Sequence, residues 1–271
     1  MIVCADDYGL SPDIGWAIAD LADKGRVTAV SSIVAAPGLE ARDFAALRER
    51  RGQLDLGLHW SLLNFPPLSA ASEVPSLTAG AGRCHSFRSL LRRSLSGAVR
   101  PDEAKLELAR QYERFERCFG GPPDFIDSHL HVHQFPGVRE GLLGFLAGLP
   151  EANRPYVRNS WTPLGKILRQ RVAVAKACWI SPLGGLLRRR LLAAGVSTNA
   201  GFAGIYDYER YRKFGTYLAR FIACIEPGNA ILMVHPGLQE PWRKAEYEAL
   251  AQAPIPVGLL GRFRRASASP G

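Results

Sequence analysis

No stretch of this 271-residue sequence is apolar over the roughly twenty residues that a membrane-crossing helix needs. The opening "MIVCADDYG" has no basic lead-in, and its acids at positions 6 and 7 interrupt any apolar core that a secretory leader would require. A cytoplasmic protein is the expectation. Cysteine is present five times (Cys4, Cys84, Cys118, Cys178, Cys224), an odd number, widely scattered and without CxxC spacing. That excludes a disulfide frame and a zinc knuckle, and reads as reduced thiols. No Pro/Gly/Ser linker and no internal repeat divides the chain, so residues 1–271 read as one domain.

Acidic residues are the minority charge, 25 against 34 Lys and Arg, for a net charge of +9. The excess is largely arginine in short clusters, "LLRRS" (91–95), "LRQRV" (168–172), "LLRRRLL" (186–192) and "RFRRA" (262–266). No nucleic-acid recognition motif accompanies them, and no nucleic-acid partner is expected. The plain reading is helices solubilised by arginine. The sharper one is that the basic segment around 165–195 is amphipathic and makes a peripheral contact with an anionic membrane surface or a lipid-linked substrate.

Short apolar runs alternate with helical patterns from end to end. Strands are expected at 1–5, 27–35, 54–62, from 124 onward, near 155–159, near 195–202 and at 229–237. Helices are expected at 11–25 (Ser11 as N-cap, Pro12 at the first position), 38–52, 101–120, 136–148, 165–195 and 207–223. Residues 64–86, rich in Pro, Ser, Ala and Gly, read as a long loop or insertion of the kind that often serves as a lid. Strand–helix alternation of this length predicts parallel strands with helical crossovers. An irregular (β/α) TIM-like barrel fits best, with a doubly wound open sheet second.

Half of the six histidines fall within "DFIDSHLHVHQFPG" (124–137). Four expected strands end in residues that bind metals or move protons: Asp6 and Asp7 after "IVCA", His59 after "LDLGL", His129 with Asp127 just before it, and His235 after "AILMV". In parallel α/β folds the carboxyl ends of strands share one rim, which carries the active site. One histidine at a strand end is usually only a hydrogen-bonded core residue, and an Asp pair could cap the next helix. Four strands converging on one rim argue for a site. Two imidazoles and a carboxylate (Asp7, His59, His129) suit a divalent cation with open positions, Asp6 beside them suits a base, and a protonated His235 suits an acid. Metal-assisted hydrolysis of an amide or ester is the chemistry this set predicts.

"ADDYGLSPDIGWAI", "LDLGLHWSL", "FIDSHLHVHQFPGV" and "MVHPG" together resemble the YdjC-like carbohydrate deacetylases, a family that includes chitooligosaccharide deacetylases and hopanoid-biosynthesis-associated members. The resemblance implies metal-dependent removal of N-acetyl groups from amino sugars, possible pairing as a homodimer, and magnesium as the family's usual metal, whereas the ligand types suit zinc. It implies Asp7, His59 and His129 as metal ligands, Asp6 as base and His235 at the active site. His131 and His133 are expected on the rim, holding substrate hydroxyls or supporting the ligands, with Asp127 orienting an imidazole. Tyr8 stands where the family often has Phe, and is expected at the site mouth. Trp60, Phe65 and Trp161 are candidate sugar-stacking platforms, and His85 has no evident partner. Two other readings remain open: a two-metal amidohydrolase or phosphoesterase using His129 and His131, and a non-catalytic binder of anionic glycan or lipid through the arginine clusters.

Overall fold

The computed structural model describes residues 1–255 and 257–265. Seven strands, β1 (Ile2–Tyr8), β2 (Ala29–Ser32), β3 (Asp55–Trp60), β4 (Phe125–Ser128), β5 (Tyr156–Val157), β6 (Gly201–Ala203) and β7 (Ala230–Val234), form one sheet in the order β5-β4-β3-β2-β1-β7-β6. Every pairing is parallel. The sheet curls into a partial barrel flanked by helices, and its edges meet at one bridge, Val157 with Thr198. Thr198 Oγ1 donates to the Val157 carbonyl (2.6 Å), and the Asn199 side chain accepts from Asn159 N (2.7 Å), so side chains close a gap that no ladder spans.

The helices are α1 (Pro12–Asp23), α2 (Ala45–Arg48), α3 (Phe87–Leu95), α4 (Pro101–Phe119), α5 (Val138–Ala147), α6 (Leu164–Gln170), α7 (Val174–Ala193), α8 (Phe214–Cys224) and α9 (Pro241–Gln252). Four stretches depart from expectation. The helix expected over 38–52 is a 3₁₀ turn (Ala41–Phe44) followed by the single turn α2. Helices α3 and α9 form in stretches to which no helix is assigned from the sequence. The basic segment is two helices, split where Arg171 and Ala173 take left-handed backbone.

Side-chain alternation along the strands sorts the core into two layers. Outward positions such as Val3, Ala5, Leu56, Leu58, Ile126 and Leu232 pack under the helices. Inward positions, Ile2 and Cys4, Ala29, Phe125, Tyr156, Phe202, Ile231 and Met233, fill the barrel. Gly57 belongs to this inner set because nothing larger fits: a Cβ there would lie 2.2 Å from the Phe125 ring.

The loop at 64–86 is irregular as expected, but it is anchored. Glu107 on α4 accepts from the N–H groups of Leu68 and Ser69 (both 2.9 Å), Glu103 accepts from Ser76 N (2.6 Å), and Val74 and Leu77 are buried.

Candidate active site

The inward positions that follow the apolar plug are polar on strand after strand. Beyond Ile2 and Cys4 comes Asp6; beyond Ala29, Ser31; beyond Gly57, His59; beyond Phe125, Asp127; beyond Tyr156, Arg158; beyond Met233, His235. A period of two therefore sets a polar floor at the carboxyl ends of the strands. Asp7 would point outward in a regular strand. Its backbone is left-handed (φ 70°) at the point where the β1–β2 register shifts, and both Asp6 and Asp7 line the cavity above the floor.

Asp7, His59 and His129 each bring one donor atom to a common point, all within 4.8 Å of one another. Asp7 Oδ1 lies 3.4 Å from His59 Nε2 and 3.1 Å from His129 Nδ1. Donors about 3 Å apart are what metal–ligand bonds of about 2.0–2.1 Å require. Each donor is also aimed. Arg243 Nη2 donates to Asp7 Oδ2 (2.6 Å), leaving Oδ1 for the site. Asp127 Oδ1 (2.6 Å) and Ser31 Oγ (2.8 Å) hold His59 Nδ1, leaving Nε2 free, the usual arrangement behind a ligating imidazole. Asn64, from the loop, contacts His129 Nε2 (3.2 Å).

Burial by itself would raise the Asp7 carboxyl, but hydrogen bonds from His129 and His59 outweigh it and hold the group well below the usual range. Burial disfavours a charged His59, yet the Asp127 carboxylate pushes the imidazole up to about 10. The charge count explains both shifts. Three buried carboxylates (Asp6, Asp7, Asp127) face two guanidinium groups (Arg158, Arg243), and a proton on an imidazole fills the deficit. A divalent cation would cover that deficit of one with a unit of positive charge to spare, and would leave both imidazoles neutral. By donor type, spacing and charge the residues fit such an ion.

Asp6 is not a ligand in this arrangement. Arg158 Nη1 and Nη2 grip its two oxygens at 2.6 and 2.7 Å, and Nη2 also lies 3.0 Å from Asp127 Oδ2. A second acidic group, Cys4, Asp6 and Asp127, converges nearby. The Arg158 guanidinium occupies that position, so it needs no metal. His235 Nε2 stands 3.8 Å from Asp6 Oδ2, and burial lowers its pKa to about 4, so the imidazole expected to be protonated rests neutral. Beneath it, Glu246 accepts from His235 N and from the Tyr206 hydroxyl (2.7 Å), and burial raises its pKa to about 7.

The remaining sequence candidates divide. Strand β4 ends at Ser128, where Leu130 and His131 turn into left-handed backbone (φ 54° and 58°). The three histidines therefore do not share a face. His131 lines the cavity, edge-on to Phe202. His133 is not on the rim. It is fully buried, with Nδ1 against Ser128 Oγ (2.6 Å) and Nε2 against the Arg158 carbonyl (2.8 Å), and so braces the backbone at Arg158, just after β5. Tyr8 is not at the mouth either; it is buried and its hydroxyl donates to the Asp43 carbonyl (3.0 Å). Trp60 is no stacking platform, because it neighbours His59 on a strand and faces the opposite way, fully buried under the helices. Neither Phe65 nor Trp161 lines the cavity, and Trp161 packs under Arg188 instead. His85 contacts Ser89 Oγ (3.2 Å) at the start of α3.

Above the floor is a cavity of about 420 Å³ whose upper wall is mostly apolar: Phe87, Leu130, Phe135, Trp179, Ile180 and Trp242 among others. The sequence reading missed Arg158, Arg243, Glu246 and Asn64.

The profile of the YdjC-like protein family matches residues 1–256. The chain belongs to the YdjC-like family. The chitooligosaccharide deacetylase of Serratia marcescens is 38% identical over 138 residues, 51% of this chain and 52% of that one. That of Proteus mirabilis HI4320 is 39% identical over 138 residues, 51% of each. The chain thus spans about half the length of the curated relatives it matches. A solved structure of a candidate cellobiose-phosphate cleavage protein from Enterococcus faecalis V583 shares the fold, with TM-score 0.66, 22% identity, and coverage of 93% of this chain and 90% of that one.

Proposed function

We propose that the protein is a metal-dependent hydrolase that removes N-acetyl groups from an amino sugar or N-acetylated oligosaccharide. The observation that carries this reading is the convergence of Asp7 Oδ1, His59 Nε2 and His129 Nδ1 on one point, with Asp6 and His235 beside it at the cavity floor. Deacetylase relatives supply the direction of the chemistry. Asp7, His59 and His129 hold the ion; two imidazoles and a carboxylate suit zinc, and the family resemblance favours magnesium. When bound, the cation supplies a Lewis acid that polarises the acetamide carbonyl and acidifies the attacking water.

The side chains then divide the proton traffic. The bidentate Arg158 fixes the Asp6 carboxylate in place, ready to take a proton from water. Neutral His235, 3.8 Å away, receives that proton on Nε2 and passes it to the departing amine. Its low pKa makes the imidazolium a strong acid, suited to protonating a poor leaving group. Asp127 and Ser31 hold the His59 tautomer, and Arg243 fixes Asp7.

The two-metal alternative receives no support from His131, which joins neither of the two convergent donor groups among the described residues. The test is acetate release from N-acetylglucosamine, its chitooligomers and lipid-linked N-acetylated amino sugars, with Zn²⁺ or Mg²⁺ added. Acetate that appears with wild type and vanishes with Asp6→Asn supports the reading. Release that survives Asp6→Asn, or no release from any of these sugars, contradicts it.

A further inference from the structure

Of the 34 Lys and Arg, nine lie in residues 152–206, a stretch that holds none of the 25 Asp and Glu; the rest of the chain balances at 25 of each sign. The whole net charge of +9 is therefore local to one stretch, which includes α6 and α7. Of its nine cations, Arg158 is consumed in the cavity floor and Lys166 pairs with Glu226 (2.5 Å). Arg169, Arg171, Arg189 and Arg190 are exposed and enter no ion pair among the described residues.

The same helices expose large apolar side chains. Leu164 (60%) and Leu168 (53%) lie one turn apart on α6, and Trp179 (52%), Leu186 (38%) and Leu192 (51%) lie on α7. Ala175, Trp179, Pro182 and Leu186, spaced four, three and four residues apart, form one outward stripe along α7. Arg171 precedes it, and Arg189 and Arg190 follow it. A groove of about 680 Å³ between α6 and α7, lined by Leu164, Ile167, Pro182 and Leu186, continues the apolar surface. No helix among the described residues is long and apolar enough to cross a membrane.

We propose that the α6–α7 face docks on an anionic lipid bilayer, with the leucines and Trp179 entering the interfacial layer and the four unpaired arginines meeting lipid phosphates. Aliphatic side chains set between basic ones suit the headgroup–acyl boundary. A nucleic-acid surface would place polar or base-stacking groups between its cations. Trp179 and Leu130 (47% exposed) also line the catalytic cavity, so docking sets its mouth at the lipid surface. The proposal does not depend on which acyl group the site removes.

The test is co-sedimentation of the full chain with vesicles of equal parts phosphatidylglycerol and phosphatidylcholine. Pure phosphatidylcholine vesicles and a single-stranded RNA oligonucleotide serve as comparison probes. Wild type should sediment with the anionic vesicles at low salt, much less with neutral ones, and release as salt rises. Combining Leu186→Ser, Arg189→Glu and Arg190→Glu should cut anionic-vesicle binding about tenfold or more, at unchanged thermal melting. Leu164→Ser with Leu168→Ser, on the separate helix α6, gives an independent reading if the first variant fails to fold, and should weaken binding in the same direction. Equal binding to neutral and anionic vesicles, variants that bind like wild type, or binding to RNA without binding to vesicles would each overturn the proposal.

Discussion

On the floor of the cavity Asp6, Asp7, His59, Asp127 and Arg158 are almost completely buried, and each is tied to at least one of the others. On the wall above, most side chains are aromatic or aliphatic and several are half-exposed. The floor is delivered by the sheet, through the last inward positions of parallel strands, and the wall by α3, α7 and the segments around β6 and α9. Side chains that must hold a charge or a proton in a fixed place sit on the rigid element and are over-determined by partners. The apolar side chains above them are packed more loosely on helices and loops. The division predicts that floor substitutions abolish chemistry or folding, whereas wall and outer-face substitutions shift binding.

The largest effect belongs to the donors. Asp7→Ala and His129→Ala should lose metal and turnover together, by elemental analysis and acetate assay; a variant with full metal content would remove that residue from the ligand set. Asp6→Asn should keep the metal and lose about 10²–10⁴ in turnover. His131→Ala, on the wall, should be milder than His129→Ala, and the reverse order would break the comparison. Arg158→Met strands two buried carboxylates, Asp6 and Asp127. It should cost about 3–5 kcal/mol in denaturant unfolding, as removal of one partner from a buried pair does. A loss under about 1 kcal/mol would mean the floor is wetter than its burial indicates.

Much of the floor was legible in the sequence, and the reason is periodicity. A strand ending in Asp or His at the inward phase needs only the two-residue repeat to be placed, as for Asp6, His59, Asp127 and His235. Asp7 and His129 were read from their place at strand ends, and left-handed backbone at Asp7 and the end of β4 at Ser128 set them outside that repeat. The supporting cations were not. Arg158 follows a strand of two residues, and Arg243 and Glu246 lie on α9, where charged residues look like an ordinary solvated helix face. The signal for α9 was present in Pro241 at a helix start followed by "WRKAEYEALAQ", but partners across the fold cannot be read from local pattern. Tyr8 and Trp60 were misplaced for two different causes. Trp60 points away from the site by the same alternation that brings its neighbour His59 into it. Tyr8 shares the inward parity of Asp6 and packs outward because the left-handed backbone at Asp7 breaks the strand's alternation.

Glu246 offers a finer probe. Its folded pKa is raised to about 7 from 4.5, so the folded state favours the protonated acid. Its contribution is fully present below pH 4.5 and is lost as pH rises through about 7. Glu246→Gln should therefore gain stability relative to wild type over that interval, by up to about 3 kcal/mol, in melts compared at matched pH. A difference that stays flat with pH would mean the carboxyl is ionised in the folded protein throughout. The smallest effect should come from Tyr8→Phe. Losing the hydroxyl's bond to the Asp43 carbonyl should cost about 1 kcal/mol of stability and leave the KM for sugar unchanged, because Tyr8 does not line the cavity.

The central claim is that Asp7, His59 and His129 together hold a single catalytic cation. Calorimetric titration of metal-stripped protein with Zn²⁺, wild type beside His59→Ala, tests it most directly. The arrangement predicts one ion per chain for wild type and no binding of comparable strength for the variant. Two ions per chain, or a variant that binds as tightly as wild type, would contradict it.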